Sequence, residues 1–211
     1  MGEQTESRRE VDAEKGVDRL VFFSDAVIAI SITLIVLPLV DVARDPGSGT
    51  AAEFFTQNGP GLLAAAVSFL VIGSFWREHH RMFNRAVGFN RTLVTVNLLW
   101  LAGIAFLPLA TVLQVGASRE DRLAAIVYIG TIGVTMALLR VDELVLARTG
   151  LLEPGAAPGN RRLLSHWVGV VLCFIAAGVV GVWPQLGLYP LLLMLLSSPI
   201  QRLIVRPRTA P

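Results

Sequence analysis

The stretch that decides the fold is Arg19-Leu-Val-Phe-Phe23-Ser24-Asp25-Ala26-Val-Ile-Ala-Ile30-Ser-Ile-Thr33-Leu-Ile-Val-Leu37-Pro38-Leu39. It is apolar for about the 20 residues that cross a bilayer as a helix, yet it carries a carboxylate near its start. It is too long for the apolar core of a cleaved signal peptide, and Asp25 argues against one as well. At 1.5 Å per residue, Asp25 lies roughly 7 to 9 Å inside the segment. An ionisable group at that depth costs about 2.5–3.5 kcal/mol on insertion scales unless it is paired or hydrated. Helical phase then divides the segment. At about 100° per residue Ile30, Thr33 and Leu37 share one stripe, and Asp25 points about 140° away from Ile30. The carboxylate and the stripe therefore face different partners. One division of the two has the stripe face a central axis and Asp25 the neighbouring helices of its own subunit.

Five further apolar blocks follow, so the expected spans are about 20–40, 60–76, 91–113, 122–140, 163–181 and 184–203. The second is short, with Trp76 as an interfacial anchor, and Thr131 and Thr135 in the fourth can bond back to their own helix. Pro108, Pro190 and Pro199 lie inside apolar runs, where proline kinks a membrane helix rather than ending it. A tight turn around Val182–Gln185 makes the last two spans a helical hairpin. The fold class is all-α and polytopic. Composition agrees: of 211 residues 54% are hydrophobic and only 16% charged, against roughly 25% charged in a soluble domain.

Charge placement gives the orientation. With the N-terminus inside, the inner side receives Arg8, Arg9, Lys15, Arg19, Arg77, Arg81, Arg85, Arg91, Arg140, Arg148, Arg161, Arg162, Arg202, Arg206 and Arg208. The outer side receives only Arg44, Arg119 and Arg122. This asymmetry predicts six spans with both termini cytosolic, because a missed or invented span would scramble it. Residues 1–18 read as a mobile cytosolic arm, helical near its end, 19–204 as the membrane domain and 205–211 as a cytosolic tail. Residues 41–58 read as a polar outer linker and 154–160 as an inner one, and no internal repeat is evident.

A net charge of +2 and a pI near 9.2 do not point to nucleic acid, since the arginines cap apolar segments instead of lining one soluble face. Cys173 is the only cysteine and reads as a packing residue. His79 and His80 are adjacent, hence about 100° apart on a helix and poorly placed to share a metal, so none is expected there. As sensors of pH they are chemically credible. No phosphate loop, nucleotide fingerprint or catalytic triad is present, and no enzyme activity or cofactor is expected.

The string R-x-x-x-F-S-D (Arg19, Phe23, Ser24, Asp25) resembles the signature of the transmembrane protein 175 family of potassium channels. Ala26, Thr33, Leu37 and Pro38 continue the pattern, with Ala26 where many versions carry glycine. Trp76-x-x-His79-His80, Asn97-Leu-Leu-Trp100 and Phe106-Leu-Pro108 are similar too. The likeness covers the first three spans, whereas the last three match in number and hydropathy. It implies a homotetramer of six-helix subunits without a re-entrant carbonyl filter, whose first helices line the pore. Residue by residue, the hydrophobic constriction would fall on Ile30, a threonine layer on Thr33 and a further apolar ring on Leu37. The permeant ion implied is K+ among monovalent cations. Arg19, Ser24 and Asp25 are expected to join Trp76, His79 or His80, and Asn97 in a polar network at the inner membrane face. The rival readings are a proton-coupled secondary transporter, with Asp25 and the histidines as a relay, and a non-conducting membrane scaffold. Ala-, Gly- and Arg-rich usage suggests a bacterial plasma membrane.

Overall fold

A computed structural model describes residues 2–44, 49–118, 121–186 and 188–205. These form an all-helical, multi-pass membrane protein. The helices are α1 (Gly2–Ala43), α2 (Ala51–Gln57), α3 (Gly59–Phe83), α4 (Arg91–Gly116), α5 (Arg122–Arg148), α6 (Asn160–Val182) and α7 (Ser197–Val205), with 3-10 segments at Pro184–Leu186 and Tyr189–Leu196. Among the described residues five helices are long and apolar enough to cross a membrane: Lys15–Ala43 within α1, then α3, α4, α5 and α6.

Three expectations change. The arm over 1–18 is not separate, because α1 runs unbroken from Gly2. Its Glu, Arg, Lys and Ala content favours helix whether or not lipid surrounds it. The outer linker contains α2, whose N-terminus is closed by a capping box: the Thr50 side chain accepts from the Glu53 amide and the Glu53 carboxylate accepts from the Thr50 amide. That backbone bond holds the Glu53 carboxyl below its usual range. Its Pro46–Gly47–Ser48 portion lies outside the described residues. The segment expected as a sixth α-helix is helical but broken. Pro184, Pro190 and Pro199 each lack the amide that an uninterrupted α ladder requires, and the chain answers with two 3-10 stretches before α7. Both the longer 3-10 segment and α7 pack back along α6. The last six residues, with Arg206 and Arg208, lie outside the described residues.

The helix ends are otherwise where local chemistry puts them. Asn90 caps α4 by accepting from the Leu93 amide (2.8 Å), and Asp121 caps α5 through the Leu123 and Ala124 amides (2.9 and 3.1 Å). Helix α4 continues through Pro108. α4 and α5 form the centre of the bundle, α1 packs on α3 and α4, and α6 packs on α5. Close approach is sequence-encoded at Gly103 of α4, where a Cβ would collide with the Thr135 hydroxyl of α5. The main core runs through Ile28, Ile35, Ile72, Trp100, Ile104, Ile129, Leu139 and Val180. A smaller apolar cluster of Val17, Phe83, Leu93 and Leu146 closes the arginine-rich end. There the α3–α4 loop is tied to the α5–α6 loop by bonds from the Val87 amide to the Leu151 carbonyl (2.9 Å) and from the Glu153 amide to the Arg85 carbonyl (3.0 Å).

Candidate pore face and polar tethers

Helix α1 has two faces of opposite character. Ser24, Ile28, Ser31 and Ile35, spaced four, three and four, are buried against α3 and α4. Ile30, Thr33 and Leu37 lie on the opposite side and are exposed, Ile30 to 59% and Leu37 to 47%. A helix that turned this stripe only to lipid would be ordinary, but Thr33 adds a polar atom to it. The Thr33 hydroxyl donates to the Ile30 carbonyl (2.7 Å). Its hydrogen is therefore used within the helix and its oxygen lone pairs remain free to face outward, where they can accept a donor or meet a cation.

The buried face carries the polar tethers. Ser24 Oγ donates to the Leu20 carbonyl (2.8 Å), so toward its other neighbour it must accept. Asn97 Nδ2 is that donor (3.0 Å). This orients the Asn97 amide, leaving its Oδ1 as the acceptor for His79 Nε2 at 2.9 Å. The bonds thus run in one direction, from His79 to Asn97 to Ser24 to the Leu20 carbonyl, and join α3, α4 and α1. All three side chains are fully buried. The His79 ring is sandwiched between Phe83 and Trp100, with centroids 4.2 and 4.5 Å away. Its Nδ1 has no partner among the described residues.

One residue further along α1, Asp25 accepts from Trp76 Nε1 at 2.9 Å. Trp76 stacks on His80, and Asn84 bonds to the His80 ring (3.1 Å). The two adjacent histidines therefore diverge, His79 into the core and His80 to the surface. Ser24, Asp25, Trp76, His79 and Asn97 are brought together in this way. Arg19 and Phe23 are not: both are exposed, and Arg19 has no hydrogen bond or ion pair among the described residues.

Two further polar clusters were not legible beforehand. Thr111 donates to the Leu107 carbonyl (2.8 Å), so it accepts from Ser68 (2.8 Å), which in turn accepts from Tyr128 (3.0 Å). This chain joins α5, α3 and α4. At the arginine-rich end the buried Arg140 pairs with Glu78 and with Glu143 (2.9 Å), and His166 Nδ1 lies 2.9 Å from Glu143. The i, i+3 spacing of Arg140 and Glu143 was the available signal.

The fold and these faces define a helical membrane protein whose first helix leaves one stripe exposed among the described residues. Residues 19–108 match the profile of the family described as endosomal/lysosomal potassium channel TMEM175. Over this region the chain is similar to the TMEM175 family. A potassium channel of Streptomyces collinus is 39% identical over 123 residues, covering 57% of this chain and 59% of that protein. The human endosomal/lysosomal proton channel TMEM175 is 33% identical over 112 residues, covering 50% of this chain and 22% of that one. The chain thus spans about three fifths of the first relative and a fifth of the second. The fold is shared with the crystal structure of a lysosomal potassium-selective channel TMEM175 homolog from Chamaesiphon minutus. That match has a TM-score of 0.67 at 21% identity and covers 91% of this chain and all of the other.

Proposed function

We propose that the chain forms a potassium-preferring cation channel as a homotetramer, with four copies of α1 around the ion path. The observation that carries this reading is the stripe Ile30, Thr33 and Leu37, turned away from the subunit's own core within the region matched to the family. Four Ile30 side chains meeting near mid-bilayer make a dewetting barrier that closes the path unless the helices move apart. Four Thr33 oxygens replace part of a cation's hydration shell, and Leu37 adds a second apolar ring. A filter of hydroxyls discriminates less sharply than a cage of carbonyls, so some Na+ leak is expected. No cofactor takes part in this reading, and K+ is cargo.

The broken last segment completes the subunit in this proposal. Eight 3-10 residues at about 2.0 Å and nine α residues at about 1.5 Å give roughly 30 Å, the thickness of the hydrocarbon core. Running back along α6, it serves as the sixth crossing and returns the chain to the arginine-rich, inner side. The setting is a bacterial plasma membrane.

The test is flux through purified protein in liposomes with opposed K+ and Na+ gradients and a pH dye inside. Rapid, uncoupled K+ flux supports the channel. Saturable flux coupled to pH supports a carrier, and none supports a scaffold. Because vertebrate relatives carry the name proton channel, the dye also reads proton leak. Ile30→Ala and Ile30→Asn should both raise flux; unchanged flux in both would place the constriction elsewhere.

A further inference from the structure

At the arginine-rich end, a cavity of about 130 Å³ opens between the C-terminal ends of α3 and α5, the first turns of α6 and the α5–α6 loop. Arg81 and Arg85 of α3, Arg140 of α5 and Arg162 of α6 line it, together with Glu78, Glu143 and His166. The charges do not balance. Both carboxylates are engaged by Arg140, and Glu143 also by His166. Arg81, Arg85 and Arg162 have no acidic partner among the described residues. Three guanidinium groups thus converge on one concave surface without a counter-charge in the protein.

The first turn of α6 sharpens the imbalance. No side chain caps the helix at Gly159 and no acidic residue lies in its first turn. The Arg162 amide turns back to the Gly159 carbonyl (2.9 Å), which leaves the Asn160 and Arg161 amides without a partner among the described residues. The sequence puts Arg161 and Arg162 there, at the positive end of the helix dipole, where carboxylates are normally favoured. The placement becomes favourable once an anion sits between the amides and the arginines. A second observation is independent of the helix end. Arg140 is 95% buried by its 5% exposure, lines the cavity, and its Nε has no hydrogen-bond partner among the described residues. Met82, Leu146 and Pro158 supply an apolar wall beside the cations.

We propose that this cavity is a binding site for a phosphate group, held by Arg81, Arg85 and Arg162 with the open first turn of α6. Guanidinium forks match phosphate oxygens in pairs, which single ammonium groups do not. The phosphate has two available sources: the headgroup of an anionic inner-leaflet lipid, as in other basic pockets between membrane helices, or a soluble phosphate compound.

The experiment uses the full chain purified in a zwitterionic detergent. Thermal unfolding is followed against added phosphatidylglycerol, phosphatidylcholine and inorganic pyrophosphate. The Arg85→Gln/Arg162→Gln double variant removes two exposed cations from the cavity. Arg91→Gln/Arg148→Gln removes the same charge from the same end but outside the lining. Saturable stabilisation by phosphatidylglycerol, not by phosphatidylcholine and not displaced by pyrophosphate, supports the site with a lipid source. Saturable stabilisation by pyrophosphate itself supports the site with a soluble source. Each lost arginine should weaken the apparent affinity roughly 5-fold, hence roughly 25-fold for the cavity variant. Equal weakening in both double variants, or no saturable effect of either phosphate compound, overturns the proposal. The readout is binding, so it stands or falls apart from conduction.

Discussion

Replacing Asn97 by Leu tests whether the rotation of α1 is set by directional bonds. Leu has the same side-chain branching as Asn with bulkier methyl ends, so the change deletes hydrogen bonds without opening a hole, and the comparison in a second background below separates lost bonds from tighter packing. Two bonds vanish: His79 Nε2 to Asn97 Oδ1 (2.9 Å) and Asn97 Nδ2 to Ser24 Oγ (3.0 Å). The consequences are unequal. Ser24 keeps its donor bond to the Leu20 carbonyl and loses only an acceptor role. His79 loses the sole partner of its ring, since Nδ1 already has none, and it is fully buried. A buried donor left unmade costs about 1–3 kcal/mol in soluble proteins. Inside membranes, bonds between helices average about 0.6 kcal/mol and reach about 1.7, because the reference state finds other partners. Two bonds therefore bracket the loss at roughly 1 to 3 kcal/mol. For a chain of this length that is a fall in Tm of about 2–12 °C, at about 2–4 °C per kcal/mol.

Thermal unfolding in detergent, read by tryptophan fluorescence, measures the shift; Trp100 stacks directly on His79. The decisive comparison is His79→Phe, which retains an aromatic ring between Phe83 and Trp100 and removes the donor. In that background Asn97→Leu should cost about 0.6–1.7 kcal/mol less than it does alone. If Asn97→Leu melts within a degree of the parent, or costs the same with and without the His79 donor, the directional chain is not what holds α1.

Two other substitutions read different parts of the bundle. Gly103→Ala drives a methyl into the Thr135 hydroxyl and should cost about 1–3 kcal/mol by forcing α4 from α5. Adding Thr135→Ala should recover most of that loss, and failure to do so would deny the close approach. Asp142 is fully buried, and neither carboxylate oxygen has a partner among the described residues. Asp142→Asn keeps the shape and removes an ionisable group, so Tm at neutral pH should rise by the equivalent of about 1–3 kcal/mol. A fall instead would mean that assembly or function supplies Asp142 with a partner.

Hydropathy located the helices because lipid demands an apolar surface, and the third span, expected at about 91–113, is Arg91–Gly116. It could not find where helices begin or end in water. Gly2–Lys15 continues α1, α3 reaches Phe83, and α5 continues to Arg148, because a helix satisfies its own backbone on either side of the interface. It also could not show how the last segment breaks, where three prolines decide the backbone within a largely apolar run. Buried charge was the harder failure. Arg140 was legible only as one more inner-side cation, whereas its burial depends on Glu78 from another helix, and spacing along one helix carries no information about the next.

The division of α1 illustrates what helical phase can and cannot supply. Phase alone separated Asp25 from Ile30, and the structure has the two on different faces, Asp25 toward Trp76 of α3 and Ile30 exposed. Phase could not name Trp76 or Asn97 as partners. Those two bonds, at adjacent residues Ser24 and Asp25, reach two different helices. Two tethers diverging from one turn resist rotation about the helix axis in a way that one tether does not. Beyond them Ile28 and Ile35 rest in the apolar core, and among the described residues the Ser31 hydroxyl bonds only within its own helix, at the Val27 carbonyl. Apolar contacts hold position but tolerate small rotations, since they have no direction. The azimuth of Ile30, Thr33 and Leu37 is therefore set mainly at Ser24 and Asp25, about 8 Å from Ile30 along the axis, and a loss there should turn the whole stripe.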